Sequence, residues 1–231
     1  MTNIAVILAG GTGQRMGAPL PKQFLPLNGS TVIEHSIQTM HDHHCIDEIA
    51  VVIHPSYREE MQRVAQRNKW PKLTKTVTGG EERVLSTLAA VEAFRDYSPD
   101  STNLLLHDAA RPFVSNQIIT GVTQALQHHQ AVAVGAPCHD TVWQTTPDGF
   151  IASIPDRGTL RNAQTPQAFR LALLQQARRL FMDQHNRLGT THAAMFTDDC
   201  SLILHYLPDT KIHIIPGNPE NKKITTPSDL P

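Results

Sequence analysis

Long apolar runs are missing from this sequence: none approaches the roughly 18 residues that a bilayer-crossing helix needs, which excludes a membrane-spanning segment. Cysteine is scarce. The three residues, Cys45, Cys138 and Cys200, are odd in number, far apart and outside any Cys-x-x-Cys pattern, so a disulfide framework and a zinc knuckle are excluded and buried thiols remain. An excess of one charge is lacking too: 20 basic and 21 acidic residues leave a formal net charge of -1. Without a whole-protein field to draw in nucleic acid or an anionic membrane, any phosphate binding has to be local. Arg/Lys runs interleaved with aromatics are absent, as are a Gly-x-Ser-x-Gly elbow and a usable Cys-His arrangement. Nucleic-acid grooves and covalent hydrolase chemistry therefore have no support. The amino terminus enters an apolar stretch at once with no charged leader, so the expectation is a cytoplasmic protein without a signal peptide.

What is present begins with Ile4-Ala5-Val6-Ile7-Leu8 running into Ala9-Gly10-Gly11-Thr12-Gly13-Gln14-Arg15-Met16, followed by Pro21-Lys22-Gln23-Phe24. The apolar run predicts a buried parallel strand, and the glycines let backbone N–H groups turn toward an anion without Cβ interference. Arg15 and Lys22 add positive charge. The dinucleotide fingerprint fails because Met16 stands where its third glycine belongs, and the ATPase loop fails for want of Gly-Lys-Ser/Thr. A site for a nucleoside triphosphate that is attacked rather than merely held fits what remains. The competing reading is a solvated turn with incidental basic residues.

At 231 residues the chain has room for one α/β domain. Apolar periodicity predicts a helix after the capping-box spacing of Thr31 to Glu34, a strand over 49–53, a polar helix over 57–68, and a weaker strand over 74–78. It then predicts a helix over 83–94, a strand over 104–106, a capped helix over 115–127 and a strand over 131–136. Strict alternation of this kind predicts a doubly wound parallel sheet with its crevice at the carboxyl ends of the strands. The rhythm changes after Pro137. Segments 140–143 and 150–154 around Pro147-Asp148-Gly149 read as a hairpin, placed in an inserted β-arm over 138–165 whose apolar residues are covered by a second subunit or folded back on their own domain. Helical periodicity returns over 171–183 and 198–206, with a surface loop over 185–194 between them and a last strand over 212–215.

Three polar clusters fall at expected strand ends: Gly79-Gly80-Glu81-Glu82-Arg83, His107-Asp108-Ala109-Ala110-Arg111-Pro112 and Lys222-Lys223-Ile224-Thr225. Convergence on one crevice follows. Asp108, just past a buried strand, is placed to hold a divalent cation or a substrate hydroxyl, or else to cap a turn. Arg111 is a ligand-binding group or an internal ion-pair partner, and Arg157 presents a guanidinium fork to a second phosphate or makes a surface ion pair. The His41-Asp42-His43-His44 run with Cys45 lacks the spacing that lets several ligands face one metal ion.

Taken in order, Leu8-Ala9-Gly10-Gly11-Thr12-Gly13-x-Arg15-Met16, Pro21-Lys22-Gln23, Gly79-Gly80-x-x-Arg83, His107-Asp108-Ala109-Ala110-Arg111-Pro112, Asp156-Arg157, Thr165-Pro166-Gln167, Thr197-Asp198 and Lys223-Ile224-Thr225 resemble the sugar-alcohol-phosphate cytidylyltransferases over nearly the whole chain. The resemblance implies a doubly wound, mostly parallel Rossmann-like domain of the nucleotide-diphospho-sugar transferase type, with a β-arm that reaches across a homodimer. It implies that CTP and a polyol phosphate give a CDP-alcohol and pyrophosphate, with Mg²⁺ bridging the triphosphate oxygens and Asp108 as a metal-binding carboxylate. Arg15 and Lys22 would stabilise the reacting phosphorus and departing pyrophosphate, with Lys223 assisting from the last strand. Ala9, Gly10, Gly11 and Gly13 would wrap the triphosphate, with Gly80, Glu81, Arg83, Ser86 and Ala109 near cytosine and ribose. Asp108, Arg111, Thr141, Arg157, Thr165 and Thr197 would surround the acceptor, some of them from the partner's arm. Because the acceptor phosphate is already anionic, no general base is needed.

Two branches of that family are in play. Leu8-Ala9-Gly10-Gly11, Ile154-Pro155-Asp156-Arg157 and Asp199-Cys200-Ser201-Leu202 are similar to the branch that uses D-ribitol 5-phosphate in teichoic acid and capsule synthesis. His107 to Phe113 and the Asp198-Asp199 pair are similar to the branch that uses 2-C-methyl-D-erythritol 4-phosphate in isoprenoid synthesis. The balance favours ribitol 5-phosphate, with methylerythritol 4-phosphate as the alternative. A nucleotidyltransferase for another acceptor, preferring a different nucleotide, and a regulatory nucleotide-binding module stay open beside them. The abrupt stop after Ser228-Asp229-Leu230 leads us to expect an amino-terminal domain excised from a longer chain.

Overall fold

A computed structural model of the chain describes residues 1–11, 20–188 and 192–229. The opening apolar run forms β1 (Thr2–Ala9), whose side chains from Ile4 onward are buried on both faces, as a central parallel strand requires. A short ribbon of β2 (Pro26–Leu27) and β3 (Ser30–Thr31) leads into α1 (Val32–Asp42). There the Thr31 N–H donates to Glu34 Oε2 at 2.8 Å, closing the capping box anticipated from the spacing. β4 (Glu48–Ile53), α2 (Arg58–Asn68), β5 (Leu73–Thr78), α3 (Arg83–Ala93), β6 (Thr102–Asp108), α4 (Asn116–Ala125) and β7 (Ala131–Pro137) continue the alternation. After the arm come β10 (Arg161–Arg170), α5 (Leu171–Leu188), α6 (Asp199–Tyr206) and β11 (His213–Pro216), the arm itself holding β8 (Gln144–Thr145) and β9 (Ile151–Ser153).

The main sheet has seven strands in the order β11-β7-β10-β6-β1-β4-β5. All its pairings are parallel except those of β10, which runs antiparallel to both β6 and β7. From β1 the chain builds outward through β4 and β5, then crosses back to lay β6 on the other side of β1. The crevice at that reversal lies beyond the carboxyl ends of β1 and β6, where open α/β sheets bind ligands. Helices cover both faces. Ile33 and Ile37 of α1, Met61 of α2 and Val122 of α4 pack on Ala5, Ile7 and Val51. On the opposite face Val91 of α3, Leu174 of α5 and Ile203 of α6 pack on Ile4, Val6 and Val52. Each fully buried aliphatic side chain contributes roughly 1.5–3 kcal/mol, which makes these two layers the frame that fixes the strand ends.

The periodicity reading missed β10 and shortened α5. β10 is polar in sequence, yet Gln164, Thr165, Gln167 and Arg170 are all buried. Pro166, which cannot donate to the ladder, sits where the register with β7 breaks between Gln164 and Ala168. α5 continues to Leu188 through residues expected to form a loop. Lys223 is not on a strand: it follows β11 in an irregular segment. The hairpin forms at β8 and β9, shorter than expected, with Gly149 at φ +91° in its turn. The arm does not fold back on its domain, since Trp143 is 59% and Phe150 70% exposed.

Candidate active site

The carboxyl ends of β1 and β6 are tied together by the Ala109 N–H, which donates to the Leu8 carbonyl at 3.0 Å. Above this junction is a cavity of about 560 Å³ whose walls include Gly10, Lys22, Gly80, Arg83, Asp108 and Lys223. Ala9, Gly11, Glu81, Ser86 and Ala109 line it as well. The strand-end clusters therefore meet at one crevice, although Gly13 and Arg15 lie outside the described residues.

Local packing explains the glycines and the first turn. A Cβ on Gly10 would stand 2.8 Å from Ser86 Oγ, so a side chain there would have to push that hydroxyl aside. A Cβ on Gly80 would meet the Leu85 Cβ more closely still, an atom that cannot rotate away. After the loop, Lys22–Phe24 makes a single 3-10 turn with Gln23 and Phe24 buried. Gln23 Nε2 donates to the carbonyls of Ala9 at 2.9 Å and Gly11 at 3.0 Å, which locks two peptide units of the loop. The trans peptide geometry then turns the Gly10 N–H away from Gln23. Lys22 Nζ donates to the Ile224 carbonyl at 2.9 Å, and the Ile224 N–H donates to the Ala110 carbonyl at 2.8 Å, so the carboxyl-terminal segment is fastened over the cavity.

A row of alternating charges runs along one wall. Asp199 accepts from Arg83 at 2.7 Å and from Thr87 Oγ1 at 2.7 Å. The same Arg83 nitrogen reaches Asp108 Oδ1 at 3.4 Å, while Lys223 Nζ meets Asp108 Oδ2 at 2.6 Å. Burial pushes the Asp108 carboxyl up, but Arg83 and Lys223 outweigh it and hold the group well below the usual carboxylate range. Burial opposes the charge on Arg83 as well, and Asp199 with Asp108 overcomes it and keeps the guanidinium charged. Asp108 is thus ionised with both oxygens engaged by cations. Each oxygen keeps a second lone pair, so the carboxylate could still offer an oxygen to a metal ion.

Behind Asp108 lies a second tier. Arg111 donates to the carbonyls of Asn221 at 2.7 Å and Ala163 at 3.1 Å, so its guanidinium braces main chain instead of making the ion pair considered from sequence. The Thr165 hydroxyl contacts His107 and the Asp108 N–H. Neither Arg111 nor Thr165 lines the cavity. Thr141 and Arg157 stand exposed on the arm, with Arg157 donating to the His139 carbonyl at 2.9 Å. Thr197 is exposed just before α6. These three are not brought to the cavity within one chain. Gln23, Asp199 and Asn221, which brace the loop, Arg83 and Thr165 respectively, escaped sequence reasoning because their partners are remote in the chain. The capping position of the Asp198-Asp199 pair was the one available signal. Elsewhere, ligating atoms of His43, His44 and Cys45 lie within 4.8 Å of one another. The two rings stack at 4.9 Å with planes 18° apart, so their lone pairs do not converge on one ion.

Among the described residues no helix is long and apolar enough to cross a membrane. The sequence profile of the 2-C-methyl-D-erythritol 4-phosphate cytidylyltransferase family matches residues 3–231. A protein of that name from Thermobifida fusca is 40% identical over 230 residues, covering 98% of this chain and 89% of the relative. The bifunctional ribulose 5-phosphate reductase/CDP-ribitol pyrophosphorylase of Haemophilus influenzae is 36% identical, covering 99% of this chain and 46% of that longer protein. Among solved structures, the 2-C-methyl-D-erythritol 4-phosphate cytidylyltransferase of Francisella tularensis superposes with a TM-score of 0.79 at 26% identity, over 100% of this chain and 97% of that one. The 4-diphosphocytidyl-2C-methyl-D-erythritol synthase of Anaerococcus prevotii gives 0.78 at 29% identity, over 99% and 92%.

Proposed function

Since the chain belongs to the 2-C-methyl-D-erythritol 4-phosphate cytidylyltransferase family, we propose that it transfers the cytidylyl group of CTP to 2-C-methyl-D-erythritol 4-phosphate and releases pyrophosphate. It is a CTP-dependent nucleotidyltransferase. The leaning toward ribitol 5-phosphate drawn from short motifs gives way here, because the family profile and most of the similar relatives carry the methylerythritol name. The ribitol reading keeps one specific support, the 36% identical Haemophilus influenzae protein.

The observation that carries the proposal is the cavity at the β1/β6 switch, where Lys22, Arg83 and Lys223 surround glycine-rich backbone. In-line attack by an acceptor phosphate oxygen on the α-phosphorus builds negative charge on the transferring and departing oxygens. We assign Lys22 and Lys223 to meet that charge, and give the same role to Arg15, which lies outside the described residues. Gly10 and Gly11 let the triphosphate approach the backbone, and Gly80, Glu81, Arg83, Ser86 and Ala109 border the space we assign to the nucleoside. Asp108 is assigned to order the cations and face the acceptor, with Arg111 and Thr165 behind it. Asp108 is the residue that would help hold Mg²⁺ with the bound triphosphate, and the ion would supply further charge neutralisation there. We assign Thr141 and Arg157 to the cavity of a second copy, reached when the exposed arms pair, and Thr197 to the outer acceptor rim.

The test is pyrophosphate release from CTP with each acceptor in turn, in the presence of Mg²⁺. Turnover with 2-C-methyl-D-erythritol 4-phosphate at a higher kcat/KM than ribitol 5-phosphate is expected. The reverse order would establish the ribitol reading, and silence with both would remove the proposal.

A further inference from the structure

His107 is fully buried in β6, one position before Asp108, and the transfer chemistry makes no use of it. Its Nε2 lies 3.0 Å from the Arg111 carbonyl oxygen, which can only accept, so the hydrogen belongs on Nε2. With that hydrogen on Nε2, Nδ1 of the neutral ring is a bare lone pair. Thr165 Oγ1, 3.0 Å from Nδ1, must then donate its proton there. The same oxygen accepts the Asp108 N–H at 3.1 Å. Every direction in the series is fixed: Asp108 N–H to Thr165, Thr165 O–H to His107, His107 N–H to the Arg111 carbonyl.

We infer that His107 is a positioning residue for the acceptor side of the site. It clamps β10 at Thr165 and the turn at Arg111 against the main chain of Asp108, and so sets where the Asp108 carboxylate and its Lys223 partner stand. Asn221 supports the arrangement by donating to the Thr165 carbonyl at 2.8 Å. The inference rests on the reading that a polyol phosphate is the acceptor.

Two substitutions each restore one half of the clamp. In His107→Asn the amide oxygen takes the place of Nδ1 and can accept from Thr165, while the Arg111 carbonyl loses its donor. In His107→Gln the longer amide reaches the Arg111 carbonyl and Thr165 is released. Both are to be assayed in the full chain for acceptor KM, kcat, CTP affinity and thermal midpoint. The acceptor KM of His107→Gln is expected to rise about five- to fiftyfold and that of His107→Asn less, with CTP affinity within about twofold of the unsubstituted protein. An acceptor KM unchanged in His107→Gln, or one that moves only in step with CTP affinity and the thermal midpoint, would overturn the positioning role and leave His107 a core-filling residue. The tautomer is read without turnover from the imidazole nitrogen NMR shifts of the unsubstituted chain. A protonated Nε2 with bare Nδ1 is expected, and a protonated Nδ1 would overturn the inference even if the enzyme proved silent with every polyol phosphate. That silence by itself would strike the proposed function instead.

Discussion

Lys223 Nζ stands 2.6 Å from Asp108 Oδ2, although 115 positions separate the two residues in sequence. The contact holds an ammonium in place over the end of β6 before any substrate arrives. Charge that is already oriented costs no reorganisation when negative charge develops on phosphate oxygens, and this is where electrostatic catalysis draws its strength.

Lys223→Met should therefore lower kcat by about two orders of magnitude with a smaller change in the KM for CTP. Pyrophosphate release under saturating substrates measures it. A raised KM with kcat intact would place Lys223 in ground-state binding alone.

Asp199→Asn keeps the side-chain shape and can still take the Thr87 hydrogen bond, but removes the buried charge that faces Arg83 at 2.7 Å. Breaking one side of a buried pair costs about 3–5 kcal/mol in full. Because Arg83 retains Asp108 and is one quarter exposed, we expect about 1–3 kcal/mol here. Urea unfolding checks the stability. The KM for CTP should rise about tenfold as the guanidinium loses its anchor.

Acid should weaken the fold through Glu34. Burial raises its pKa, but hydrogen bonds from Arg67, Asn68 and Thr31 outweigh that and hold it near 2. A depressed carboxylate contributes stability that is complete above its unfolded pKa of about 4.5 and is lost as the pH falls toward 2. Arg67 is half exposed, so solvent screening reduces the contribution to about 1–2 kcal/mol. Unfolding free energies at neutral pH and near pH 3 should differ less in Glu34→Gln than in the unsubstituted chain. An equal acid dependence in both would assign the loss to other groups.

The arm offers a fourth measurement. Trp143 and Phe150 are more than half exposed, and each buries about 150–250 Å² when covered. Replacing both with serine should convert a dimer to a monomer in light scattering and raise the acceptor KM at least tenfold through loss of the partner's Arg157. A monomeric unsubstituted chain with full activity would remove the arm from the site.

Sequence reading reached the parts of this molecule that are written locally. β1 and β4 announce themselves as aliphatic runs, and Gly80 stands where a Cβ would run into that of Leu85. Asp108 was legible because it closes an apolar strand. β10 was illegible for the opposite reason: three of its buried positions, Gln164, Thr165 and Gln167, are amides and a hydroxyl, in contact with Asn218, His107 and Asp198 from distant segments. No periodicity encodes partners that only folding brings near. The same holds for Gln23 and Asp199, which look like ordinary surface residues until the carbonyls and the guanidinium they hold are in place. The two branches share most of the short motifs, so the choice of acceptor leans on similarity along the whole chain and not on any one of them.

The reversed strand β10 runs from the foot of the arm into the middle of the sheet, and Thr165 lies on it directly beneath Asp108. Four residues of strand therefore separate the foot of the arm at Arg161 from the prop under Asp108, and the outermost and innermost parts of the molecule share one short piece of backbone.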